Sequence, residues 1–266
     1  MITFSLTFAT ALMFSGLLVT GLTLLPRLGA AGKTILQFCT YAPGLDALLA
    51  CLIWIPWVVS GMGVGWVGLL ATVAAQVVTM QAWIVIHELI HRPAAQGPRI
   101  VGFLNQRYGW WRNNLALWVT SVVLPVFFLI RFAELLLYPC LVVLLDFRRY
   151  DHREWVSVSR QKFEGLVGHD LIWCLYCDWM TGVYSLGAEM LRNVESFWCP
   201  IRFYDGKKCE NCQLDFPDIA QGWVGTDGSM ADVVKVLEDN TPRDQPWRWL
   251  SHPDRSSRAS SGSEKG

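Results

Sequence analysis

Two groups of residues in this chain have the types and spacing that metal chemistry requires. Five of the eight cysteines, Cys174, Cys177, Cys199, Cys209 and Cys212, fall between His169 and Cys212, and four of them make two Cys-x-x-Cys pairs with 31 residues between Cys177 and Cys209. Thiolates are soft, anionic and compact, so four can surround one ion tetrahedrally, and a two-residue gap lets two converge without strain. The second group is His87-Glu88-Leu89-Ile90-His91. On a helix its two imidazoles, four residues apart, share one face and can meet at one ion, with Glu88 at the edge of that face.

The two cysteine pairs resemble the ligand spacing of zinc ribbons and rubredoxin-like sites. That resemblance implies a zinc held by Cys174, Cys177, Cys209 and Cys212, with Cys199 in reserve; iron or an iron–sulfur cluster is the alternative. The setting of the first pair, Leu171 to Trp179, reads more like a buried helix or strand, while Cys199 to Cys212 reads as a turn-rich loop and is the stronger metal candidate. The His87–His91 segment resembles the HExxH motif of zinc metalloproteases, including membrane-embedded ones. It implies His87 and His91 as zinc ligands and Glu88 as the general base on metal-bound water, with Glu134, Glu189, His152 and His169 as candidates for a third ligand. With Arg92-Pro93 after it, the same segment is similar to the first histidine box of membrane desaturases and alkane hydroxylases. That likeness implies iron-dependent oxidation at the cytoplasmic ends of membrane helices. Those enzymes use eight or more histidines, whereas this chain has five and no HxxHH box. The bland alternatives are a solvated helix end for the box and buried small hydrophobes for single cysteines such as Cys39, Cys51 and Cys140.

The elements that must position these groups are set by hydropathy. Hydrophobic residues make up 53% of the chain and charged residues 17%, with a mean hydropathy of +0.32. This is the profile of an integral membrane protein. Phe4 to Leu25 carries no charge and is long enough to cross a bilayer; without a basic start it reads as a retained span rather than a cleaved signal. The 40 residues from Ala47 to Ile86 are also uncharged, enough for two crossings with a break near Ser60-Gly61-Met62-Gly63-Val64-Gly65. Leu115 to Leu145 is apolar except for Arg131 and Glu134, which are three apart and suited to pairing on one helix face. The connection carrying Arg92, Arg99, Arg107 and Arg112 without an acidic residue is expected in the cytoplasm, as are Arg27 and Lys33. Keeping Arg148, Arg149 and Arg153 on that side favours a hairpin over a single long span for residues 115–145.

The expected fold is therefore an all-α polytopic membrane region over residues 1–150, with three spans plus a hairpin or long fourth span. A small Cys-rich α+β metal-binding domain is expected over 151–240, in the cytoplasm, and a disordered tail over 241–266. A protein partner is expected to dock either on the Cys-rich domain or on Trp247, Trp249 and Leu250 within that tail. Lys plus Arg equals Asp plus Glu at 22 each, so no field gathers nucleic acid; the expected partner is the lipid bilayer. The leading function is a metal-dependent membrane enzyme, hydrolytic at His87, Glu88 and His91. A non-enzymatic assembly or redox factor and an iron-dependent oxidoreductase are the alternatives.

Overall fold

The computed structural model describes residues 2–202, 214–216, 219–240, 246–247 and 250. The described residues form helices joined by turns and loops, and their only β-pairing is in isolated bridges. Four helical stretches are long and apolar enough to cross a membrane: Ile2–Phe38, Gly44–Val64, Trp66–Ile90 and Trp110–Leu145. The chain divides into two compact units, Met1–Pro125 with Asp151–Val183, and Val126–Tyr150 with Tyr184–Gly266.

In the first unit, α1 (Ile2–Leu24) ends in a tight turn at Leu25–Leu28, where Pro26 interrupts the ladder, and α2 (Gly29–Phe38) follows. Helices α3 (Gly44–Leu49) and α4 (Ile55–Val64) form one span joined by a wide π-turn at Ala50–Trp54. The cause is Pro56, which has no N–H to offer the carbonyl of Leu52 four residues earlier. Gln76 of α5 (Trp66–Ile90) supplies the missing donor: its Nε2 donates to the Leu52 carbonyl at 2.8 Å, and its Oε1 accepts from Trp57 Nε1 at 2.6 Å. Gly65, at φ +78°, makes the expected break between α4 and α5, a conformation other residues rarely adopt. Helix α5 packs on α1 and α4 through a stripe of small buried residues, Gly68, Ala71, Thr72, Ala75 and Thr79. Where apolar burial gives no drive between helices in lipid, such stripes let backbones approach closely. Hydroxyls in the spans return to their own helix, as Thr79 Oγ1 does to the Ala75 carbonyl at 2.9 Å.

Short helices α6 (Arg92–Ala95), α7 (Ile100–Tyr108) and α8 (Trp110–Ser121) complete this part of the chain. Helices α9 (Leu124–Phe132) and α10 (Tyr138–Leu145) continue the fourth apolar stretch through a second π-turn at Ala133–Leu137, again just before a proline, Pro139. After α11 (His152–Trp155), the segment around Val156–Val158 pairs with residues 40–42: Ala42 N–H donates to the Val156 carbonyl at 2.9 Å and Val158 N–H to the Thr40 carbonyl at 2.8 Å.

The small α+β cysteine domain is not what the described residues form. Cys174 and Cys177 stand on α12, a continuous helix from Gly168 to Trp198. Leu171, Trp179, Val183, Leu186, Met190 and Asn193 are buried at helical spacing along it, so the first cysteine pair lies in a buried helix, one of the two forms its apolar setting suggests. Only α13 (Ile219–Gly222) and α14 (Met230–Asn240) follow as helices among the described residues.

The second unit has an aromatic core. Phe147, buried, packs on Phe197 at 5.1 Å between ring centroids, and Phe197 meets Trp247 edge-on at 5.1 Å. Trp247 Nε1 donates to the Asn193 carbonyl at 3.2 Å, and Asn193 Nδ2 to Tyr138 Oη at 2.7 Å. Trp247 and Leu250, expected as a docking element, are thus buried parts of this core; Trp249 lies outside the described residues. Arg131 and Glu134 pair as their spacing suggests, Nη1 to Oε2 at 2.6 Å, with both side chains buried.

Candidate functional site

Helix α5 carries Trp83, His87 and His91 at four-residue intervals, and their rings stack in sequence, 4.6 Å from Trp83 to His87 and 4.2 Å from His87 to His91. The imidazoles share a face, as the spacing requires. Their nitrogens are engaged differently. His91 Nδ1 lies 3.0 Å from the His87 carbonyl, to which it can only donate, which frees its Nε2 as an acceptor. His87 Nδ1 accepts the backbone N–H of Gly168 at 3.1 Å, so a neutral ring carries its proton on Nε2. That tautomer offers a metal no lone pair at Nε2.

Glu88 is engaged as well. Its Oε1 accepts from Arg99 Nη2 at 2.8 Å and from the backbone N–H of His169 at 3.0 Å. Arg99 Nε reaches Asp170 Oδ2 at 3.3 Å, and Asp170 Oδ1 accepts the Val101 N–H at 3.0 Å. The first N–H groups of a helix have no partner within it. Here His87 and Glu88 satisfy two of them at the start of α12, and both carboxylates sit where the helix dipole favours negative charge. Gly168 is required at this junction. Its φ is +53°, and a Cβ there would fall 2.1 Å from Glu88 Cγ. Burial pushes the Asp170 carboxyl up, but the neighbouring His169 ring, the hydrogen bond from Val101 and the Arg99 charge outweigh it and hold the group below its ordinary 3.8. Arg99, Gly168 and Asp170 escaped sequence reasoning, since their pairing spans about seventy residues; the signal present was a glycine and an acid opening a helical pattern.

The candidate third ligands fall elsewhere or have other neighbours. His169 Nδ1 is 3.7 Å from Asp170 Oδ1. His152 opens α11, while Glu134 and Glu189 belong to the second unit, where Glu189 accepts from the Tyr150 hydroxyl at 3.4 Å. Cys174 and Cys177 lie one helical turn apart on α12, in the first unit, and Cys199 is exposed just past its end. Burial pushes the Cys174 thiol up, and the neighbouring Arg160 guanidinium opposes that rise. Cys209 and Cys212 lie outside the described residues. Among the described residues no three His, Cys, Asp or Glu side chains are grouped to hold a metal ion.

What the first unit does contain is a half-open cavity of about 1400 Å³, well above the roughly 300–1,000 Å³ of ordinary small-molecule pockets. Its wall is mostly aliphatic and aromatic, drawn from α1, α3, α4, α5 and α12, and Trp83, which stacks on His87, is part of it. Lys33, Arg153 and Lys162 line it too, and no lining residue is acidic. The pairing of residues 40–42 with 156–158 brings Arg153 to the α2–α3 connection. There the Arg153 guanidinium lies 5.5 Å from the Tyr41 ring centroid. Comparison of the chain with protein-family models, curated proteins and solved structures finds no match.

Proposed function

We propose that this integral membrane protein is a binding protein for a lipid-like molecule, which it holds in the cavity of the first unit. The size and apolar lining of that cavity carry the reading, because a space of this volume between membrane helices suits hydrocarbon chains better than a water-soluble metabolite. The HExxH box has a different task in this account. A general base must reach the proton it abstracts, whereas Glu88 is bound to Arg99 and to the start of α12, so the box works as a clasp that closes one end of the unit. The Arg92 to Arg112 connection faces the cytoplasm, in keeping with its charge.

Native mass spectrometry of the full chain in mild detergent tests the proposal. Wild type is expected to retain one lipid-sized adduct through washing, and Val77→Trp, which fills the cavity from α5, to lose it with the fold intact by circular dichroism. Equal retention by the two proteins would place the lipid on the outer surface and overturn the reading.

A further inference from the structure

A bilayer offers hydrocarbon chains everywhere, so moving a chain from lipid into an apolar cavity gains little by itself. Selectivity has to come from the polar end of the occupant. The wall of this cavity is one-sided in charge: Lys33, Arg153 and Lys162 line it with no Asp or Glu, although the chain contains as many acids as bases. The three cations arrive from separate places. Lys33 stands on α2, two helical turns before Thr40, and Arg153 and Lys162 flank the 156–158 segment that is hydrogen-bonded to residues 40–42. The tertiary pairing sets Arg153 beside Tyr41 at the α2–α3 connection, and Lys33 and Lys162 line the same cavity. Gln37, Thr40 and Gln161 add polar side chains to the same wall. Such a site matches an acid attached to a long apolar body.

We infer that the cavity takes an anionic amphiphile, with its phosphate or carboxylate against Lys33, Arg153 and Lys162 and its hydrocarbon among the apolar side chains of α1, α5 and α12. The inference rests on the lipid-binding reading above and adds the class of headgroup. Arginine and lysine both serve here, the first through its fork of donors and the second as a point charge.

The test uses delipidated full-length protein with dioleoyl phosphatidic acid, dioleoyl phosphatidylcholine, oleate and inorganic phosphate, with occupancy read by native mass spectrometry. Wild type is expected to favour phosphatidic acid over phosphatidylcholine by about tenfold, the scale of one charge-assisted contact. Oleate is expected to compete and inorganic phosphate at the same concentration not to. The Lys33→Gln/Lys162→Gln variant is expected to lose the preference while still binding phosphatidylcholine. Equal wild-type binding of the two phospholipids overturns the anionic headgroup and leaves the cavity reading standing. Displacement of lipid by inorganic phosphate would overturn the need for a chain. Saturable binding of none of the three amphiphiles overturns both readings.

Discussion

Asp170 shows how one residue ties three parts of the first unit together. It accepts from Val101, pairs with Arg99 and sits in the first turn of α12, while Arg99 reaches on to Glu88 at the end of α5. Its folded-state carboxyl is depressed below 3.8. A depressed acid contributes stability that is fully present above its unfolded-state value and is lost as pH falls through the folded-state value. The melting temperature in detergent should therefore hold steady above about pH 5 and fall once the pH drops below about 4. Asp170→Asn should flatten that acid limb and lower the neutral-pH stability by about 1–3 kcal/mol, the cost of weakening a hydrogen-bonded charged group with little exposure. A melting temperature equally acid-sensitive in the variant would assign the limb to other carboxylates.

At the scale of elements, much was legible because lipid imposes a simple rule on the chain. Uncharged runs near twenty residues long marked α1, the α3–α4 span and α5, and the glycines before Trp66 marked the break where Gly65 takes a positive φ. The i,i+3 spacing of Arg131 and Glu134 foretold their pairing. Two features fit more than one reading. A Cys-x-x-Cys pair has the same three-residue step as a helix face, so Cys174 and Cys177 fitted α12 as well as a metal knuckle. Likewise His87, Glu88 and His91 have the spacing of a zinc box, but the partners that engage His87 and Glu88 come from residues 99 and 168–169, which no local pattern reveals. Gln76 was equally invisible, since its value lies in the carbonyl that Pro56 leaves open on a neighbouring helix. Gln76→Leu should leave both the Leu52 carbonyl and the Trp57 N–H without that partner. Burying such groups costs about 1–3 kcal/mol each, so the variant should unfold at lower temperature in detergent. Val85→Leu, at an outward position of the same helix, should change little. Equal melting curves for Gln76→Leu and wild type would show that other groups satisfy the π-turn.

For the whole molecule, charge and packing in the first unit lead to one orientation. Helix α1, the α3–α4 span and α5 are three successive candidate crossings, with a single-residue link at Gly65 between the second and third. The α2–α3 connection and the segment after α5 therefore lie on the same side of the membrane, and the cations of both favour the cytoplasm. Residues 156–158 join that side through their bonds to residues 40–42. Under the anionic-amphiphile proposal, Lys33, Arg153 and Lys162 are therefore expected at the cytoplasmic leaflet, where anionic lipids are concentrated, with the Trp110–Leu145 stretch entering and leaving on that side. The orientation is measurable without knowing the ligand. Gly97, exposed in the connection after α5, can be replaced by Cys in a chain whose native cysteines are Ala and labelled with a membrane-impermeant maleimide. Labelling is expected in inside-out vesicles and not in right-side-out ones. The reverse pattern would turn the cationic side of the cavity toward the outer leaflet, and an acid supplied from the cytoplasmic leaflet would no longer be its natural occupant.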